Sequence, residues 1–480
     1  FLIYAFALVF FLNILGFFQV ENFRGFGLYG VLIIKVLLAL LLYHFPLENI
    51  VDSAIYLNDS QVLSEILLRN PKDFFVVFFQ LPGSEALDLK YMLDTNYWSH
   101  ETSGLISEKR NVIRINAIFQ MLGLHNQYIV FLWNALTAIL GLKLFYRSLR
   151  SFCKDDHNVL FTLIFLLPST LLWTSNVMKE SYLILGLGLF FYGLLVPMRR
   201  NKSVLMAALG FLVVLMFKQY VALGLFAGLM IYLLALLPTR GQRITGFSFF
   251  FVLLLFGGYL FLPRFTERIS AKQFDFIRLA EGGIILNDLG TFYKVDLVQK
   301  EHFHFFYGED KNLYAYISEP VQALLLTHDK TATEVQLDKS DKRWYVYNFN
   351  EKSGSYIPLT PLENDPLQLF KNMPEALVNV FFRPFPFDPP KSLTKWYYVL
   401  ENVAIWGLFL FSLKNIRKSN RLEIMALFFV SIVVIALFIG WTTPVIGAIV
   451  RYKLPIVLSL IAVSWLLLFP KKENNLQAIS

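Results

Sequence analysis

The length of the apolar runs limits this chain more than any other feature. They fall at about 1–19, 28–44, 128–146, 158–174, 180–197, 203–217, 219–237, 245–262, 396–413, 422–440 and 446–469. Most hold about 17–23 residues, enough to cross a hydrocarbon core as helix. The reading is a mainly α, polytopic bundle of about 11–12 spans. Composition agrees: 56% of the 480 residues are hydrophobic and 16% are charged, too little charge for a soluble chain of this length. The aromatic share of 17% suits lipid-facing Phe with Tyr and Trp at interfaces. The first run is too long and bulky for a cleaved signal peptide. A further stretch, 112–124, carries Arg114 and Asn116 and reads as an interfacial or re-entrant helix, or as an extra span.

Basic residues follow every second run. Arg147, Arg150 and Lys154 follow one, and Arg199, Arg200 and Lys202 another; Arg240 and Arg243, then Lys414, Arg417, Lys418 and Arg421, then Lys471 and Lys472 continue the alternation. Cytoplasmic loops collect Lys and Arg, so this side is assigned as cytoplasmic. That assignment also accounts for the net charge of +8 without a nucleic-acid partner. The remaining connections then face outward: 45–127, the turn 175–179, Lys218 to Tyr220, 263–395, and Trp441 to Pro444. The domain reading is 1–262 as an N-terminal membrane region including the outer loop 45–127, 263–395 as a small α+β extracytoplasmic domain, and 396–480 as a C-terminal membrane region.

Within the first outer loop, Asp52 to Leu68 has helical spacing, and Pro71, Pro82, Gly83 and Gly104 punctuate the rest. In the second, Thr291–Val298 and Trp344–Phe349 read as strands. Arg383 to Pro390 is proline-rich and reads as an extended, stiff connector.

By this parity several charges belong near one membrane face: Asp52, Asp59 and Glu65, then Arg114, Lys179, Glu180, Lys218, Arg451 and Lys453. Lys and Arg hold diphosphate through charge-assisted hydrogen bonds. A nearby carboxylate serves as general base on a sugar hydroxyl, or a carboxylate pair holds a divalent cation, the one cofactor considered. Plainer readings stand beside these. Asp52 and Asp59 cap or solvate a surface helix, Arg451 and Lys453 snorkel to headgroups, and Lys179 with Glu180 opens an ordinary helix. His302 and His304 in a strand-like stretch read as structural. Cys153 is the single cysteine, so neither an intrachain disulfide nor a Cys-based metal site is expected. There is no nucleotide-binding glycine motif, no His-Glu-x-x-His and no Gly-x-Ser-x-Gly.

Five segments carry a family resemblance: Asp52-Ser-Ala-Ile-Tyr56 with Asp59, Asn111-Val-Ile-Arg114, Pro168 through Trp173 to Glu180, Arg383-Pro-Phe-Pro, and Arg451-Tyr-Lys-Leu-Pro455. The chain resembles bacterial multi-pass envelope glycosyltransferases of the GT-C type and the related polysaccharide polymerases. The resemblance implies an inner-membrane enzyme that draws on a polyprenyl-phosphate-linked sugar at the outer face and passes it to a glycan or protein acceptor. It implies Asp52, then Asp59, as catalytic base. Arg114, Lys179, Lys218, Arg451 and Lys453 would hold phosphate, with Glu180 and Trp173 in support. The acidic loop here follows the second apolar run rather than the first and has no Asp-x-Asp pair, which leaves room for a metal-free reaction. Two other readings are kept: a transporter or flippase of lipid-linked oligosaccharides, and a non-catalytic subunit of an envelope or secretion complex.

Overall fold

The computed structural model describes residues 1–19, 26–45, 51–93, 95–99, 107–152, 157–288, 291–308, 312–326, 332–390, 392–419 and 421–470. Gly104, Cys153, Lys154, Lys471 and Lys472 lie outside the described residues. The chain forms two compact units. One comprises 1–243, 400–435 and 451–480, and the other 244–399 with 436–450.

The first unit is helical. Its elements are α1 (Leu2–Ile14), α2 (Phe26–His44), α3 (Val51–Arg69), α4 (Pro71–Phe79), α5 (Ser84–Tyr91), α6 (Glu108–Leu122), α7 (Gln127–Arg150), α8 (His157–Phe165), α9 (Pro168–Trp173), α10 (Lys179–Leu195), α11 (Arg200–Phe217) and α12 (Gln219–Ala235). Starts follow local chemistry. Asn70 accepts from the amides of Lys72 and Asp73 with Pro71 in the first turn, Ser107 caps α6, and Asn126 caps α7. The helix expected from Asp52 to Leu68 is α3.

Six helices are long and apolar enough to cross a membrane, fewer than the eleven or twelve expected: Gly27–His44, Gln127–Arg150, Arg200–Phe217, Arg240–Gly258, Lys395–Leu413 and Leu422–Thr442. A seventh is added if a broken pair at 446–468 counts as one crossing. The shortfall has local causes. The first run supplies a helix of 13 residues, and 180–197 and 219–237 supply helices of 17. The run 158–174 is cut in two because proline disfavours helical geometry in the residue before it; Leu167 is extended, and α9 begins at Pro168. The 112–124 stretch belongs to α6, a 15-residue helix buried all round from Arg110 to Arg114, and does not reach spanning length.

α7, α10 and α11 pack backbone against backbone. A Cβ on Gly188 would stand 2.1 Å from the carbonyl oxygen of Gly141, and one on Gly210 would stand 2.2 Å from the amide nitrogen of Phe190. Small residues allow this close approach between apolar helices. α10 is thereby held between two neighbours, with Lys179 and Glu180 at its first turn.

The second unit holds most of α13 (Arg240–Glu281), a 42-residue helix that runs on through Pro263. The boundary expected between 262 and 263 therefore falls inside one helix. Seven strands follow: β1 (Gly283–Asp288), β2 (Thr291–Val295), β3 (Phe303–Tyr307), β4 (Leu313–Ile317), β5 (Val321–Leu326), β6 (Ala332–Leu337) and β7 (Ser340–Asn350). They form one antiparallel sheet in the order β3-β4-β7-β1-β2-β5-β6. Alternation puts Ile284, Leu286, Val295, Ala315, Ile317, Val321, Trp344 and Val346 in its core. β2 and β7 are the two strands read from the sequence.

After α14 (Pro366–Lys371) and α15 (Met373–Phe382), the proline-rich stretch makes a turn rather than an extended connector. The Asp388 amide donates to the Phe385 carbonyl at 3.1 Å, and the Asp388 carboxylate accepts from the Phe385 amide at 2.7 Å and pairs with Arg383. One carboxylate thus satisfies the backbone that the prolines leave underbonded. The chain ends through α16 (Leu393–Leu413), α17 (Leu422–Thr442), α18 (Ile446–Tyr452) and α19 (Leu454–Leu468). The break between the last two falls at Lys453, with Pro455 in the first turn of α19.

Candidate functional site

In the first unit a set of charges gathers around Arg451, in the last turn of α18. Its Nη1 donates to Asp52 Oδ2 at 2.7 Å and its Nε donates to Glu180 Oε1 at 2.7 Å. Asp52 is in the first turn of α3 and Glu180 in the first turn of α10, so each carboxylate also lies at a helix N-terminus, where negative charge is favoured. The planar guanidinium uses two of its fixed donors, Nε and Nη1, one for each acid. Lys218, between α11 and α12, stands 3.9 Å from Glu180 Oε1 and 3.9 Å from the ring centroid of Tyr452. Lys179 pairs with Glu108, the first residue of α6, at 3.0 Å. The Tyr97 hydroxyl donates to Asp52 Oδ1.

The cluster is graded in depth. The Asp52 side chain is 33% exposed, whereas those of Lys218 and Glu180 are 4% and 1% exposed. Burial raises the Asp52 carboxyl, but Arg451, the Tyr97 hydroxyl and Lys179 outweigh it and hold the group below its ordinary range. Burial likewise pushes the Tyr97 phenol up, aided by the Asp52 charge, so Tyr97 remains a donor. Burial pushes the Lys218 ammonium down to about 7 against the opposing pull of Glu180.

Asp59 lies elsewhere on α3 and has a different task. Its carboxylate accepts from the amides of Asn96, Tyr97 and Trp98 at 3.2, 2.8 and 3.1 Å. A buried carboxylate bound in this way anchors a loop, and this loop carries the hydroxyl that meets Asp52. Arg114 also stands apart. Its Nε donates to the Phe78 carbonyl and its Nη1 to Asn111 Oδ1, both at 2.7 Å, and it lies 5.3 Å from the Trp98 ring centroid. Arg110 meets the same ring at 4.8 Å and donates to the Trp98 carbonyl at 2.8 Å. Glu65 pairs with Arg69 one turn along α3.

Lys453 belongs to a second polar group, built on α2, α9, α16 and α19. Its ammonium donates to Asn402 Oδ1 at 2.8 Å. Glu401 accepts the Ser169 amide at 2.9 Å, near the N-terminus of α9, while Lys35 donates to the Thr170 carbonyl at 3.1 Å and meets Thr174. Trp173 is buried on α9. Asp52, Lys179, Glu180, Lys218 and Arg451 thus come together, while Asp59, Arg114, Lys453 and Trp173 are placed elsewhere.

Tyr97, Glu108, Tyr220 and Tyr452 complete the cluster without having been singled out from the sequence. A loop tyrosine or a first-turn glutamate carries no signal of its own. Lys35 did carry one, as a lone ammonium inside the apolar run 28–44. Among the described residues, no group of three or more His, Cys, Asp or Glu is arranged to hold a metal ion. No family model, curated protein or solved structure matches the chain.

Proposed function

We propose that this chain is an integral-membrane glycosyltransferase or polysaccharide polymerase that takes sugar from a polyprenyl-phosphate carrier, with the Arg451 cluster as its site. The observation that carries the reading is the convergence of Asp52, Lys179, Glu180, Lys218 and Arg451 from distant segments; Asp52 and Arg451 alone are 399 positions apart. Buried charge is costly, and an apolar fold draws it from so many elements into one place mainly where function requires it. The ammonium and guanidinium groups suit a phosphate leaving group. The carboxylates suit proton removal from a glycan or protein hydroxyl. In this reading the site opens at the outer face of a bacterial inner membrane.

A second reading, a flippase for lipid-linked oligosaccharide, draws on the two interrupted helices, α8 with α9 and α18 with α19. Transporters place such breaks near their substrate sites. One experiment separates the two. The purified chain is reconstituted with polyprenyl-diphosphate sugars, and both sugar transfer and lipid flipping are followed for wild type, Asp52→Asn and Lys179→Ala. Transfer that falls in both variants supports the enzyme. Transfer unchanged in both removes this site, and flipping without transfer replaces the reading with the second.

A further inference from the structure

Two carboxylates bind Arg451, and their remaining valences differ. Both oxygens of Asp52 are engaged: Oδ2 accepts from Arg451 and Oδ1 from the Tyr97 hydroxyl. In Glu180 only Oε1 is engaged. Its Oε2 is buried, and among the described residues no donor lies within hydrogen-bond reach of it. A second polar atom shares this condition. The Tyr220 hydroxyl is buried without a partner and lies in the fields of Glu180 and Arg451. Lys218 stands beside Glu180 beyond hydrogen-bond distance. A buried carboxylate oxygen left without a donor costs stability, so the arrangement calls for a reason.

We propose that Glu180 is the catalytic base of this site, and that its Oε2 receives the acceptor hydroxyl of the incoming glycan or protein. The inference rests on the glycosyl-transfer reading above and assigns the base within it. Asp52 is then a positioning residue that aligns the Arg451 fork from the opposite side. The step balances. As the acceptor oxygen bonds the anomeric carbon, its proton passes to Glu180 Oε2. The bond from that carbon to the carrier phosphate breaks, and its electron pair leaves with the phosphate.

Charged groups face Glu180 from several elements. Arg451 of α18 and Lys218 stand against its Oε1, with Lys179 of α10 nearby. Asp52 of α3 and Glu108 of α6 are each paired with a cation. Tyr56, Tyr220 and Tyr452 also face the cluster. Tyr220 and Lys218 offer donors to the acceptor oxygen while its proton departs. Asp52 has both oxygens occupied, by Arg451 and by the Tyr97 hydroxyl, and so has none left to receive a proton from the acceptor.

The test is sugar transfer by the full chain in lipid nanodiscs, measured against pH, with a polyprenyl-diphosphate-linked donor and a hydroxyl acceptor. Wild type loses turnover as pH falls, because the base must be ionised. Glu180→Gln is expected to lower kcat by about 10²- to 10⁴-fold with KM little changed, and to flatten the acid side of the profile. Glu180→Asp keeps the carboxylate and restores the acid limb at reduced kcat, which a misfolded variant does not do. Asp52→Asn lowers turnover but keeps the acid limb. The assignment is overturned, with the glycosyl-transfer reading intact, if Glu180→Gln retains both rate and acid limb or if Asp52→Asn is the variant that loses the limb. A wild-type chain that transfers no sugar overturns the reading and the assignment together.

Discussion

Arg451 and Arg114 are both buried guanidinium groups in the same unit, yet their partners differ in kind. Arg114 is held by a backbone carbonyl, an amide side chain one turn away and the Trp98 ring, with Arg110 on the same indole. These partners come from one stretch, 78–114, and they knit a loop-rich segment together. Arg451 is held by two carboxylates from helices far apart in the chain, and one of those carboxylates keeps an oxygen without a donor. Arg114 thus draws these bonds from its own stretch of chain, whereas Arg451 joins carboxylates brought from distant helices. Position in the sequence alone made the two look alike, since both stood near the ends of apolar stretches.

The sharpest way to break this contrast is at Arg451. Arg451→Ala leaves the buried Glu180 and the partly exposed Asp52 without their common cation. The expected loss is about 3–5 kcal/mol of stability, with loss of transfer. Thermal unfolding in detergent measures the first and the reconstituted assay the second. An unfolding temperature equal to wild type would mean that the cluster is not electrostatically coupled.

Arg114→Ala should behave differently. It leaves the Phe78 carbonyl and Asn111 short of a donor, at about 1–3 kcal/mol. At a temperature where the variant stays folded, transfer per folded molecule should match wild type. Selective loss of transfer would return Arg114 to the site and erase the distinction.

Lys218→Met is the mildest of the three. The Lys218 ammonium is pushed down to about 7 by burial, against an ordinary 10.5. Between those values the unfolded chain holds a proton that the folded chain has lost, so wild-type stability rises as pH rises through this window. The slope ends near pH 7, below which both states carry the proton. The variant should lack the rise and stay within about 1 kcal/mol of wild type at neutral pH. Denaturation series at several pH values show the difference, and identical slopes would place the titrating group elsewhere.

Parity along the chain gathered nine charges, of which Asp52, Lys179, Glu180, Lys218 and Arg451 meet, and it overcounted the helices long enough to cross. Lys179, Glu180, Lys218 and Arg451 each lie near an end of an apolar run, which a hydropathy pattern locates, while Asp52 lies in the loop that follows one. Arg114 fits the same description, but its partners depend on where the 78–98 loop folds back, and no periodicity encodes that. Pro168 was visible as the close of a run, yet its consequence, a helix cut before it was long enough to span, is a backbone effect on Leu167. The sheet was legible through β2 and β7 alone. β1 and β3 to β6 were not, because short strands pair through long-range register that only the folded chain supplies.

The bare faces of α7, α10 and α11 carry a last consequence. Gly188 lies eight residues from Glu180, about 12 Å along α10 at the helical rise. Its contact with Gly141 sets both the rotation of α10 and its height against its neighbour. The alignment of the Glu180 carboxylate is therefore inherited from a position that bears neither charge nor side chain. A single methyl there would act on the site as a lever acts on its far end.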